Sequence, residues 1–85
     1  MSLHDYVAGQ AIDSHQFPFY GLLQAAMRAA DSDNFSILRA AFPEVYKDLE
    51  VRYNAPGGSL PEDGLSWEQI VEICNAVHER YGRHE

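Results

Sequence analysis

From Phe19 onward the apolar positions of the chain fall at helical spacing. Phe19, Leu22, Leu23, Ala26, Met27 and Ala30 recur at i, i+3, i+4 and i+7, with Gln24, Arg28 and Asp31 on the other side. Pro18 opens this helix, because its ring suits a first helical position and not an interior one. The cap-forming run Asp31-Ser32-Asp33-Asn34 closes it and starts a second helix at about Asn34, whose apolar side is Phe35, Ile37, Leu38 and Ala41. Pro43 disfavours helical geometry at Phe42 and reopens a helix after it. Along this third helix Val45, Tyr46, Leu49 and Tyr53 face inward, Glu44 complements the positive end of the dipole, and Asp48 is placed to pair with Arg52 at i, i+4.

Asn54-Ala55-Pro56-Gly57-Gly58 is the strongest stop in the sequence, with Asn54 suited to left-handed geometry ahead of a Pro-Gly turn. A connection from Asn54 to Leu65 follows, long for a small domain and anchored only by Leu60 and Leu65; loops of that kind often carry function. The last helix has the clearest start: Ser66 as N-cap, Gln69 completing a capping box, and Leu65 and Ile70 placed for a hydrophobic staple. Trp67, Ile70, Val71, Cys74, Val77 and Tyr81 line one face and Gly82 ends it. Ahead of the helices, Tyr6-Val7 and Ala11-Ile12 flank Ala8-Gly9-Gln10, which predicts an irregular arm or a short β-hairpin over residues 1–16.

These elements predict a single all-α domain over residues 1–85, a small compact bundle of about four helices near 18–31, 34–41, 43–54 and 66–81. The expected core is Leu22, Leu23, Ala26, Met27, Ile37, Leu38, Phe42, Val45, Leu49, Ile70, Val71, Cys74 and Val77. A hydrophobic fraction of 46% with ten aromatic residues is too apolar for a disordered chain. At 85 residues there is room for one core, and a deep pocket would compete with it for the same few side chains.

Charge narrows the function classes. Thirteen acidic residues against six basic ones give a net charge of −7, and no Lys or Arg lies between Arg52 and Arg80. Direct nucleic-acid binding and attachment to anionic lipid are therefore not expected. The segment Pro43 to Glu50, tested as a recognition helix after a tight helical break, would present three acids and one Lys to phosphates. No stretch reaches the roughly twenty apolar residues of a membrane span. Met1-Ser2-Leu3-His4-Asp5 lacks the charged start of a secretory signal. Together with the lone Cys74, this predicts a cytoplasmic protein.

Chemistry-bearing constellations are sparse. Cys74 and His78 stand at i, i+4 on the last helix, a spacing that can place a thiolate and an imidazole on one metal, but two ligands do not make a site and buried Cys is common in cores. His4, His15 and His84 are scattered. Glu62-Asp63, the adjacent carboxylate pair, follows Pro61 in a turn and reads as solvated. Gly57-Gly58 has neither the following Lys nor the preceding strand of a phosphate loop. No catalytic residue, cofactor or metal site is expected.

The surface is more informative. Phe17, Phe19 and Tyr20 crowd Pro18, and three rings cannot all face the core of a helix that is just starting. Gly21, Ala25 and Ala29 form a ridge of small residues that would let another helix approach closely. Both features predict an interface with another protein, a second copy included, and self-association would cover apolar area that so small a domain leaves over. Glu68, Glu72, Asn75 and Glu79 form a polar stripe on the last helix; an acidic face usually serves solubility, and its functional version docks a basic partner. The leading expectation is a non-catalytic interaction or accessory module. The alternatives are an acidic decoy of a nucleic-acid-binding protein and a small metal- or thiol-dependent protein built on Cys74 and His78.

Overall fold

Side-chain caps start three of the helices. In the computed structural model, which describes residues 1–82, α1 spans Leu3–Asp13, α2 Phe19–Ala29, α3 Ser32–Ala41, α4 Pro43–Tyr53 and α5 Trp67–Tyr81, with short 3-10 turns at Pro56–Gly58 and Pro61–Asp63. No strand occurs among the described residues. Ser2 accepts from the Asp5 amide at 3.2 Å, and Asp31 from the Asn34 amide at 2.8 Å. At α5 the capping box is complete: Ser66 Oγ accepts from the Gln69 amide at 3.2 Å and the Ser66 amide donates to Gln69 Oε1 at 2.9 Å.

The N-terminal arm is thus a helix, not a hairpin or an irregular strand. Its apolar residues fall on two sides, Leu3, Tyr6 and Val7 on one and Ala8 and Ile12 on the other, so neither helical nor strand periodicity stands out. The α3 start also moves, from Asn34 to Ser32, because Asp31 and not a later residue takes the cap. Asn54 caps the end of α4 with φ −93° and donates through Nδ2 to the Glu50 carbonyl at 2.9 Å, so the stop falls where it is expected without left-handed geometry at Asn54.

Packing is concentrated in α2, α3 and α4, which lie against one another. Gln24 Nε2 donates to Asp48 Oδ2 at 3.1 Å and joins α2 to α4. Phe35 meets Tyr46 edge-on at 5.6 Å between α3 and α4. The expected compact core does not form: Met27, at 2% exposure, is the one buried side chain among the described residues. Leu23, Leu38, Phe42, Val45, Leu49, Ile70 and Cys74 are half-buried, whereas Leu22, Ala26, Ile37, Val71 and Val77 are exposed. The radius of gyration is 14.6 Å, against about 12 Å for a compact chain of this length.

The long connection to α5 is held by an ion pair. Arg52 on α4 donates through Nη1 and Nη2 to both oxygens of Asp63, at 2.7 and 2.9 Å, through Nη1 to the Gly58 carbonyl at 3.0 Å, and through Nε to Asp48 at 2.9 Å. Asp63 also accepts from the Leu60 amide at 3.0 Å and the Ser59 hydroxyl at 3.3 Å. Asp63 is therefore not the solvated carboxylate expected of its turn. Hydrogen bonds from Arg52, then from the Leu60 amide, hold its carboxyl well below the usual range, and Asp63 followed by Asp48 pushes Arg52 up.

Gly57 and Gly58 turn the chain with φ of 63° and 73°. A Cβ at Gly57 would stand 2.9 Å from Ile70 Cγ2 and 3.3 Å from Trp67 Cζ3, whereas at Gly58 it would meet only the Arg52 carbonyl at 3.9 Å. Left-handed backbone alone costs a residue with a Cβ about 1–2 kcal/mol. Gly57→Ala is expected to destabilise more than Gly58→Ala in urea denaturation, because only the former also pushes the loop off α5.

Candidate interaction surface

The turn between α1 and α2 places the ring that shapes the surface. Ser14 Oγ donates to the Ala11 carbonyl at 2.6 Å, the Gln16 amide donates to the Asp13 carbonyl at 3.0 Å, and Gln16 takes a left-handed φ of 55°. The reversed chain delivers Phe17 between His15 and Tyr81, with ring centroids 5.4 and 4.7 Å away. The second contact joins the start of α2 to the far end of α5, residues that are remote in the sequence.

An open groove of about 620 Å³ lies beside this stack. Its floor is one side of α2, formed by Gly21, Leu22, Ala25, Ala26 and Ala29. Ile12 and Phe17-Pro18 form one wall, and Val77 and Tyr81 of α5 the other. The Tyr81 hydroxyl is the one polar side-chain group in this lining. Across the Gly21, Ala25, Ala29 ridge a shallower hollow of about 420 Å³ is bordered by Gln24 and Arg28, so the ridge separates an apolar flank from a polar one.

Of the residues expected at an interface, Phe17, Gly21, Ala25 and Ala29 come together in this groove. Phe19 and Tyr20 do not. They are 59% and 65% exposed and point elsewhere, Phe19 edge-on to Phe42 at 6.4 Å and Tyr20 into a hollow bordered by Val45 and Asp48 of α4. A Cβ on Gly21 would sit 3.3 Å from the Pro18 ring, so the glycine accommodates the way the chain enters α2. Leu22, Ala26 and Val77, expected in the core, instead line the groove, with Ile12 and Tyr81. The available signal is numerical: the sequence supplies more apolar positions than so short a chain can cover.

Glu68, Glu72 and Glu79 are exposed along α5, as is Asn75 between them. Cys74 and His78 are half-buried one turn apart, and no third His, Cys, Asp or Glu joins them among the described residues. Cys74 borders a small pocket beside the Arg52–Asp63 pair. His84 lies outside the described residues. Among those residues no helix is long and apolar enough to cross a membrane.

Comparison of the chain with protein families, with curated proteins and with solved structures returns no match. The groove and the charge distribution are thus the basis for a functional reading.

Proposed function

We propose that this chain is a non-catalytic, cytoplasmic protein-interaction or accessory module that docks a folded partner surface on the α1–α2–α5 groove. The observation that carries the reading is the groove's lining. It is an open concavity of about 620 Å³ with a carbon floor and walls, on a chain that buries only Met27 among its described residues. An open apolar concavity is suited to contact with another protein, because covering it removes apolar area from water. Acid–base or nucleophilic chemistry would need titratable groups converging on the cavity, and its lining offers one phenol. The exposed stripe of Glu68, Glu72 and Glu79 is suited to keeping the module soluble and to steering a basic partner, with less weight in final affinity.

The reading is tested with the full chain as bait against extract from its source. The wild type should retain a partner that a Leu22→Asp, Val77→Asp double variant loses while its helicity by circular dichroism is unchanged. That partner should stay bound at high salt, since apolar contact is not screened. Equal capture by both baits, or release at moderate salt with loss of binding in the Glu68, Glu72, Glu79→Gln triple variant, would move the docking site to the acidic stripe and favour the decoy reading.

A further inference from the structure

The Arg52 ion pair encloses a chemically reactive step of the chain. Asp63-Gly64 is the one Asp-Gly pair in the sequence. At such a pair no side chain crowds the Gly amide nitrogen, which can attack the Asp carboxyl carbon and close a five-membered ring. The backbone demands glycine here: Gly64 ends the Pro61–Asp63 turn in left-handed geometry, φ 66° and ψ 28°, and is exposed to water. We infer that Asp63-Gly64 is a modification site, an aspartate that isomerises to isoaspartate once it is released, and that the Arg52 fork is the group that holds it inert.

The reaction needs no partner but water. The Gly64 nitrogen forms a bond to Asp63 Cγ, the carboxyl hydroxyl leaves as water with the amide proton, and a succinimide remains. Water then opens one of the two ring carbonyls. Opening at Cγ restores aspartate, whereas opening at the former peptide carbonyl leaves the main chain running through Cβ and Cγ with the α-carboxylate as its side group. Mass is unchanged and nothing is oxidised or reduced.

Three features of the folded site oppose ring closure. Closure runs through the neutral acid, whose hydroxyl can leave, and Arg52, donating to the two oxygens at 2.7 and 2.9 Å, favours the charged carboxylate. The Leu60 amide at 3.0 Å and the Ser59 hydroxyl at 3.3 Å hold the same carboxylate, so Cγ cannot swing towards the Gly64 nitrogen without breaking these bonds. The Gly64 amide is itself engaged, donating to the Pro61 carbonyl at 3.1 Å, and bringing it onto Cγ undoes the turn. Isomerisation adds a carbon to the main chain and takes one from the side group, so the product does not remake the two-oxygen contact with Arg52. Each event therefore opens the α4–α5 connection permanently.

The full chain is incubated for days at about pH 5, where a free carboxyl of pKa about 3.9 is still partly protonated, folded or unfolded in urea. After digestion, isoaspartate at residue 63 is separated by reversed-phase chromatography and identified by electron-transfer fragmentation. The folded wild type should isomerise at least about tenfold more slowly than the unfolded chain, because it keeps the carboxyl charged and fixed. Folded Arg52→Gln should approach the unfolded rate while its circular dichroism stays helical. If that variant does not fold, Arg52→Lys decides: it keeps the charge without the fork, and it should isomerise clearly faster than the wild type. Equal rates for folded and unfolded wild type would overturn the inference, as would a folded Arg52 variant that isomerises no faster than the wild type.

Discussion

Met27→Ala is expected to be the most damaging single truncation in the chain, lowering stability by about 2–5 kcal/mol. A chain of 85 residues has a net stability of only about 4–13 kcal/mol, so the variant would lose a large share of it and unfold at a clearly lower urea concentration than the wild type. The reason is position. Met27 lies one helical turn beyond Gln24, which bonds Asp48 of α4, and it is the one buried side chain among those described. Met27→Leu, which keeps the volume, should cost less than about 1.5 kcal/mol. Urea denaturation followed by circular dichroism, at one fixed protein concentration so that assembly does not shift the midpoint, measures both. Equal midpoints for Met27→Ala and wild type would mean that the α2–α4 contact is not the core.

Asp63→Asn is expected to release the connection between α4 and α5 and to abolish part of the acid sensitivity of the fold. The substitution keeps the shape but removes the charge to which Arg52 donates twice, at 2.7 and 2.9 Å, and weakens the acceptor for the Leu60 amide. The folded Asp63 carboxyl is held below its unfolded value, chiefly by Arg52. Its contribution is therefore complete above the unfolded pKa of about 3.9 and is lost as pH falls from there towards the folded value. Arg52 is shifted upward from an already high value, so its own titration does not enter below strongly alkaline pH. The melting temperature of the wild type should fall steeply below about pH 4, and that of Asp63→Asn should start lower and fall less. Amide exchange should quicken in residues 57–65 and in the first turn of α5, with α2 and α3 unaffected. Identical pH profiles for the two proteins would remove the ion pair from any stabilising role.

Local rules read this chain well wherever the determining residues stand within one helical turn. Ser66 and Gln69, Pro43 after Phe42, and Asp48 with Arg52 all act over four residues or fewer, and each does in the structure what its spacing implies. The Arg52–Asp63 pair spans eleven residues across a turn whose shape depends on two left-handed glycines, and no periodic pattern encodes such a distance. The α1 helix is hard to read although Ser2 and Asp5 form a capping pair, because Gly9 and apolar residues on two sides blur its periodicity. The core is overestimated for a different reason. Periodicity identifies which side of a helix is apolar but not what covers it, so Ile37 and Val77 share the pattern of Leu23 and Leu38 while remaining exposed. The groove arises from that surplus, and its geometry depends on Phe17 meeting Tyr81, two residues far apart in the sequence.

The packing of α2, α3 and α4 joins helices that are neighbours or next neighbours in the chain. Topologies with such short sequence separations pay little loop-closure entropy before their contacts form, and they fold in microseconds to milliseconds. Formation of these three helices should therefore be complete within the dead time of ordinary mixing. Any slower phase in refolding would report the seating of α1 and α5, and its rate would rise with protein concentration if that seating takes place on a second chain.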